Sequence, residues 1–314
     1  ELAEAKRRGE QALERMASVD PTAARVDLTG TRFKLTHALG LMLTSTGQYP
    51  QGDARLQEAL RLARLGRDLS AAIGIANSLA VSALEQGDIE RAFAWIGQAL
   101  DGEGRQAALA NNRALARANQ SLVLAIRGDL GGALEAAALA AQLCDQAFVR
   151  HGVQILRRQH WLQFELGSRD LAIKGLQALR RRDDLQPSDR TLLDASLLQV
   201  GEAADSAAVL EAAVGIEDFP LRVRALCLAQ PGCEPSQILP LLSVSVTAAR
   251  DQGAHGLWLA LQTQRVAALH SAGRAVEARD AAVAVWQRLE EGWVGIELFP
   301  RIAAVLCAAL AETQ

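Results

Sequence analysis

The stretch SALEQGDIERAFAWIGQAL, Ser82 to Leu100, sets Gly87-Asp88 between two alanine-rich apolar runs. Each run has the spacing of an amphipathic helix. Glycine at the break suits a helix C-terminus, where a left-handed residue closes the last turn without Cβ strain. An aspartate just after it can cap the next helix. The pair therefore predicts two helices folded back on each other across a tight turn.

The same pattern recurs. TSTGQYPQGDARLQEAL (44–60) carries Gly47, and IRGDLGGALEAAALAAQL (126–143) carries Gly128. FELGSRDLAIKGLQAL (164–179) carries Gly167, and HSAGRAVEARDAAVAVW (270–286) carries Gly273. The intervals are 40, 41, 39 and then 106, and a fixed period of this size marks a helical repeat array. Five positions after each glycine stands a small residue: Gly52, Ala92, Ala133, Ala172 and Ala278. A small side chain there lets two helix backbones approach closely. The long gap is filled by two shorter units with Gly201 and Gly232 at the break, interrupted by Pro220, Pro231, Pro235 and Pro240.

Residues 2–18 read as an amphipathic helix before the first full pair, and 295–312 as a last helix. The fold class expected is all-α, an α-solenoid of stacked helix-turn-helix units. Residues 1–314 are read as one such domain, with a bend near 182–235. The opening on half a repeat, at Glu1 without a Met, predicts a piece of a larger protein.

The copies resemble tetratricopeptide repeats. HALGLMLTSTGQYPQGDARLQEAL (37–60) has Leu39-Gly40, the turn Gly47, Tyr49 and Ala59 where the family places such residues. The second copy matches with Leu79, Ala80, Gly87, Ala92 and Ala99, and the third with Gly128, Ala133 and Ala140 but Gln120-Ser121 in place of Leu-Gly. With a period near 40 the array is similar to the longer repeats of bacterial signal-transducing ATPase regulators of the maltose-activator type. That resemblance implies a right-handed superhelix whose first helices line a concave groove. It also implies a regulatory domain in the bacterial cytoplasm that binds a protein or peptide, or alternatively a small inducer.

Composition narrows the classes. Half of the residues are apolar, only 4% are aromatic, and the net charge is −3. No nucleic-acid or membrane partner is expected from such a balance. No apolar run of 18 residues and no G-x-x-x-x-G-K-[ST] loop occurs. The cysteines, Cys144, Cys227, Cys233 and Cys307, read as reduced thiols. His37, His151, His160, His255 and His270 lack metal-ligand spacing, so neither metal nor cofactor is expected. Asp183-Asp184 reads as a solvated turn beside Arg180-Arg181-Arg182. Without a nucleophile and base at catalytic spacing, the expectation is no enzyme. A homo-oligomer is compatible with such an array.

Groove positions carried over from the family are Lys34, His37, Leu41 and Thr44, then Asn77, Val81 and Glu85. They continue with Ala118, Leu122 and Ile126, then Gln154, Arg157, Trp161 and Glu165, and end at Thr263, Ala267, His270 and Ser271. Of these, His37, Asn77, Leu122, Ile126, Arg157 and Trp161 are the candidate partner residues, Trp161 as an aromatic anchor. Leu41 and Val81 stand where a chaperone-peptide clamp needs asparagines, which argues against that adaptor class. Trp95, Trp258, Trp286 and Trp293 are expected to pack between repeats.

Overall fold

A computed structural model describes residues 2–18, 29–101, 110–146, 152–202, 205–291 and 309. Among these, α1 (Leu2–Ser18) precedes seven helical pairs. Hairpin 1 joins α2 (Thr29–Ser45) to α3 (Tyr49–Leu65), and hairpin 2 joins α4 (Leu69–Glu85) to α5 (Ile89–Leu100). Hairpin 3 is α6 (Ala110–Ile126) with α7 (Leu130–Gln146), and hairpin 4 is α8 (Gly152–Glu165) with α9 (Arg169–Arg180). Hairpin 5 is α10 (Pro187–Gln199) with α11 (Ser206–Val214), and hairpin 6 is α12 (Phe219–Ala229) with α13 (Pro235–Asp251). Hairpin 7 is α14 (His255–Ser271) with α15 (Ala275–Glu290). Successive helices pack on one another along the chain, which makes the fold an all-α solenoid of stacked hairpins.

The turns follow the chemistry of the opening stretch. Gly87 has φ +79°, and the Asp88 amide behind it reaches back to the Ala83 carbonyl at 2.9 Å. These bonds use carbonyls that the ending helix leaves without partners. Asp88 then accepts from the Arg91 amide at 3.0 Å and caps α5. Gly47, Gly128, Gly167, Gly201 and Gly273 adopt the same left-handed conformation. Asp129 caps α7 in the same way, whereas Ser168 makes no side-chain cap.

Three turns depart from the sequence reading. Gly232 sits in a 3-10 turn, Gln230–Gly232, and its requirement is closeness: a Cβ there would stand 3.0 Å from Leu198 Cβ. Gly253 (φ +67°) joins α13 to α14, and Arg67 (φ +54°) takes the left-handed place between α3 and α4. Both carry connections between hairpins, which the period-40 pattern did not mark.

The small residues sit where helices cross. Ala92, Ala133, Ala172 and Ala278 are fully buried. A Cβ on Gly52 would meet Thr44 Cγ2 at 2.6 Å, and one on Gly40 would meet Leu56 Cγ at 2.8 Å, so glycine on both helices sets the α2–α3 spacing. Five local apolar clusters lie between neighbouring hairpins. A sixth cluster is different in kind. It joins Tyr49 and Leu84 of the first two hairpins to Leu226, Leu257 and Val285 of the last two.

That cluster reflects a contact across the array. Every residue of α14 from Gly256 to Gln264 is buried, and a helix buried on all sides needs neighbours on all sides. One neighbour is α4. A Cβ on Gly256 would stand 2.5 Å from the Leu84 carbonyl oxygen and 3.1 Å from the Gly87 nitrogen. The Gln252 side chain touches Gly47. Hairpins 6 and 7 thus return to hairpins 1 and 2.

Candidate interaction groove

The first helices of successive hairpins are tied by polar contacts along one line. Asn77 (α4) donates to the Asn112 carbonyl at 2.9 Å, and the Asn119 amide (α6) approaches Asn77 Oδ1 at 3.5 Å. Arg158 (α8) donates to the Ala118 carbonyl at 2.6 Å. Arg157 (α8) approaches Ser196 Oγ (α10) at 3.5 Å, and Gln154 donates to Asp189 at 3.1 Å. Buried polar groups need such partners, and here each partner also fixes the angle between two hairpins.

The six candidate residues do not form one exposed surface. His37 is half-buried on α2, stacked 6.1 Å from Phe33, with its imidazole pKa lowered by burial. Asn77 and Arg157 belong to the polar line and are buried. Leu122 and Ile126 lie in the central core with Ala80, Ala83 and Leu84. Trp161 is 7% exposed and packs with Ala125, Ala133 and Ala137, between hairpins 3 and 4. Lys34 and Leu41 on α2 and Ser271 at the end of α14 are the groove positions with open side chains.

Two other expectations meet the structure differently. Trp258 packs in the central core and Trp95 bridges three clusters, as inter-repeat residues do. Trp286 is instead half exposed on α15 and donates to Glu290 at 2.8 Å, because it faces away from α14. Trp293 and His151 lie outside the described residues, as does the helix expected over 295–312 apart from Ala309. Asp184 pairs with Arg182 at 2.7 Å on an exposed turn, which leaves the Asp183-Asp184 pair without a shared site.

The residue that groove counting undervalued is Glu85. It lies at the C-terminal end of α4, only 4% exposed, and Arg224 of α12 donates to it at 3.1 Å across 139 residues of sequence. Asp218, which caps α12, and Tyr49 of α3 face the same carboxylate. Burial is the main force on Glu85 and pushes its carboxyl up to about 7, against the opposing pull of Arg224. Tyr49 is buried beside it, and burial raises its phenol further above the ordinary value. A glutamate closing the apolar run SLAVSALE is the signal in sequence, since a charge in such a place needs a countercharge.

Two clefts open elsewhere. One of about 520 Å³ is lined by Gln57, Leu60, Arg61, Arg64, Leu65 and Trp95, between α3 and α5. The other, about 420 Å³, lies between α1, α2 and α3 and is edged by Glu10, Glu14, Arg32 and Glu58. Among the described residues no group of three His, Cys, Asp or Glu side chains is placed to hold a metal ion. No described helix is long and apolar enough to cross a membrane.

Among solved structures, the crystal structure of the P58(IPK) TPR domain is similar over 90% of this chain and 80% of that one, at 13% identity and a TM-score of 0.27. No protein-family model matches the chain, and no curated protein matches it. The chain's own turns, helix crossings and hairpin order are those of an all-α solenoid of stacked helical hairpins.

Proposed function

We propose that the chain is a protein- or peptide-interaction domain of a bacterial signalling or transcription regulator, working in the cytoplasm without catalysis of its own. The observation that carries this reading is the inner side of hairpin 2. It seats helices from elsewhere in the chain through an ion pair, close backbone contact and an apolar surround, which is the chemistry by which a groove holds a helix. The regulator context rests on the resemblance of the repeats of about 40 residues. A partner follows the first helices past Lys34, His37 and Leu41. Asn77, Arg157, Leu122, Ile126 and Trp161 set the shape of that surface from beneath. The small-inducer alternative places a ligand at Leu122, Ile126 and Trp161, where side chains already fill the space.

Selection of helical peptides from a random library, with hydrogen exchange to map them, tests this reading. Bound peptides should protect α2 and α4, and Lys34→Glu or Leu41→Glu should weaken them at least tenfold without altering the helical signal. Protection confined to other helices, or indifference to both substitutions, would contradict it.

A further inference from the structure

The contact between the two ends of the array has an unusual composition for a core. Its backbone part is very close, at Gly256 against Leu84, Glu85 and Gly87 and at Gln252 against Gly47. Its centre is ionic. Arg224 and Glu85 are 16% and 5% exposed at their side chains and meet at 3.1 Å. Burying such a pair is a poor route to stability, because the desolvation of both charges rivals their attraction. It is a good route to a contact with two states, since an ionised Glu85 left without Arg224 favours opening.

We propose that hairpins 6 and 7 act as an intramolecular occupant of the inner face of hairpins 1 and 2, latched by Arg224 on Glu85, and that a partner reaches this face when the latch opens. This rests on the reading of that face as a binding surface. The occupant is on the page: α12 and α14 of the same chain. It also specifies the partner's chemistry. A segment that displaces α12 presents an apolar helix with an arginine or lysine at its centre, as FPLRVRALCLA (219–229) does. Opening uncovers a carboxylate and a phenol that only a basic group complements.

The latch responds to protons. The charged and titratable groups facing Glu85 are Arg224 and Asp218 from α12 and Tyr49 from α3, while α14 contributes backbone through Gly256. Burial raises Glu85 in the closed form, so closure takes up a proton and weakens as pH rises from the ordinary carboxylate range through 7.

Hydrogen exchange on the whole chain, corrected for intrinsic pH effects, separates the outcomes. Arg224→Glu should raise exchange at least tenfold in 78–88 and 255–264 while far-UV circular dichroism keeps its helical signal. The exchanged pair Glu85→Arg with Arg224→Glu should restore protection. Arg224→Met, uncharged and similar in length, should open the array more than the parent at pH 8 and no more at pH 5. A peptide of residues 217–230 should bind Arg224→Glu and should not bind Glu85→Lys. Unchanged exchange in Arg224→Glu would overturn the latch, as would loss of all helical signal in both Arg224→Glu and Arg224→Met, which would make the pair part of an indivisible core. The library peptides above are scored by Lys34 and Leu41, which are exposed with the array closed, so failure of the surface reading is distinguished from failure of the latch.

Discussion

Replacing Gly256 by alanine tests the closed array through a single methyl group. An ideal Cβ at this position would stand 2.5 Å from the Leu84 oxygen, 3.0 Å from the Glu85 oxygen and 3.1 Å from the Gly87 nitrogen. Ordinary contact begins near 3.4 Å, and all three atoms are backbone, so no side chain can swing aside. The start of α14 has to move by roughly 1 Å from α4, and overpacking of this kind costs about 1–3 kcal/mol. Alanine returns at most about 1 kcal/mol of helix propensity, less in a first turn. The net loss is therefore about 1–2 kcal/mol, or roughly 2–4 °C of melting temperature for a chain of this size. Gly97→Ala is the matched control, because nothing lies within 4 Å of a Cβ there and the residue sits inside α5. That variant should gain up to about 1 kcal/mol. Differential scanning calorimetry of both reads the two signs. Equal gains from the two substitutions would refute the α14–α4 contact.

Three further outcomes are expected. Glu85, pushed up by burial to about 7, favours the folded state when protonated, so stability falls as pH rises from the ordinary carboxylate range through 7. Urea unfolding from pH 5 to 8 should show that slope in the parent and a flatter one in Glu85→Gln. Ala92→Leu places three more carbons where α5 is fully buried, and should lower the urea midpoint by about 1–3 kcal/mol equivalent. Asp88→Ala removes the cap on Arg91 N–H and should lose about 1 kcal/mol by the same assay.

The array was legible because its rules are local. Gly87, Gly47, Gly128, Gly167, Gly201 and Gly273 announce turns by conformation, and Ala92 and its counterparts announce crossings by size. Each signal depends on residues within one hairpin. Gly253 and Arg67 escaped because connections between hairpins follow no period. The pairing of Glu85 with Arg224 escaped for a deeper reason: the contact crosses the repeats, and nearest-neighbour counting has no term for it. The trace it leaves in sequence is composition. LWLAL in α14 and AAIGIA in α4 are unbroken apolar runs without the polar side that an open groove would require. Leu122 and Trp161 lie on the first helices of their hairpins, and closure and hairpin packing decide whether such positions face a partner or a neighbour.

The distance between the two ends of the array is the most direct measure of the account. Spin labels at Gln51 and Asp251, both exposed, would be placed in a background with the native cysteines replaced. Closure predicts a narrow separation below about 30 Å, since Gln51 is one helical turn from Gly47 at ~1.5 Å per residue, and Asp251 adjoins Gln252. An open array would separate the labels by five hairpin steps of about 9 Å, roughly 45 Å, with a broad distribution. The short distance is the result predicted at pH 5, and the long one at that pH would contradict the closed array.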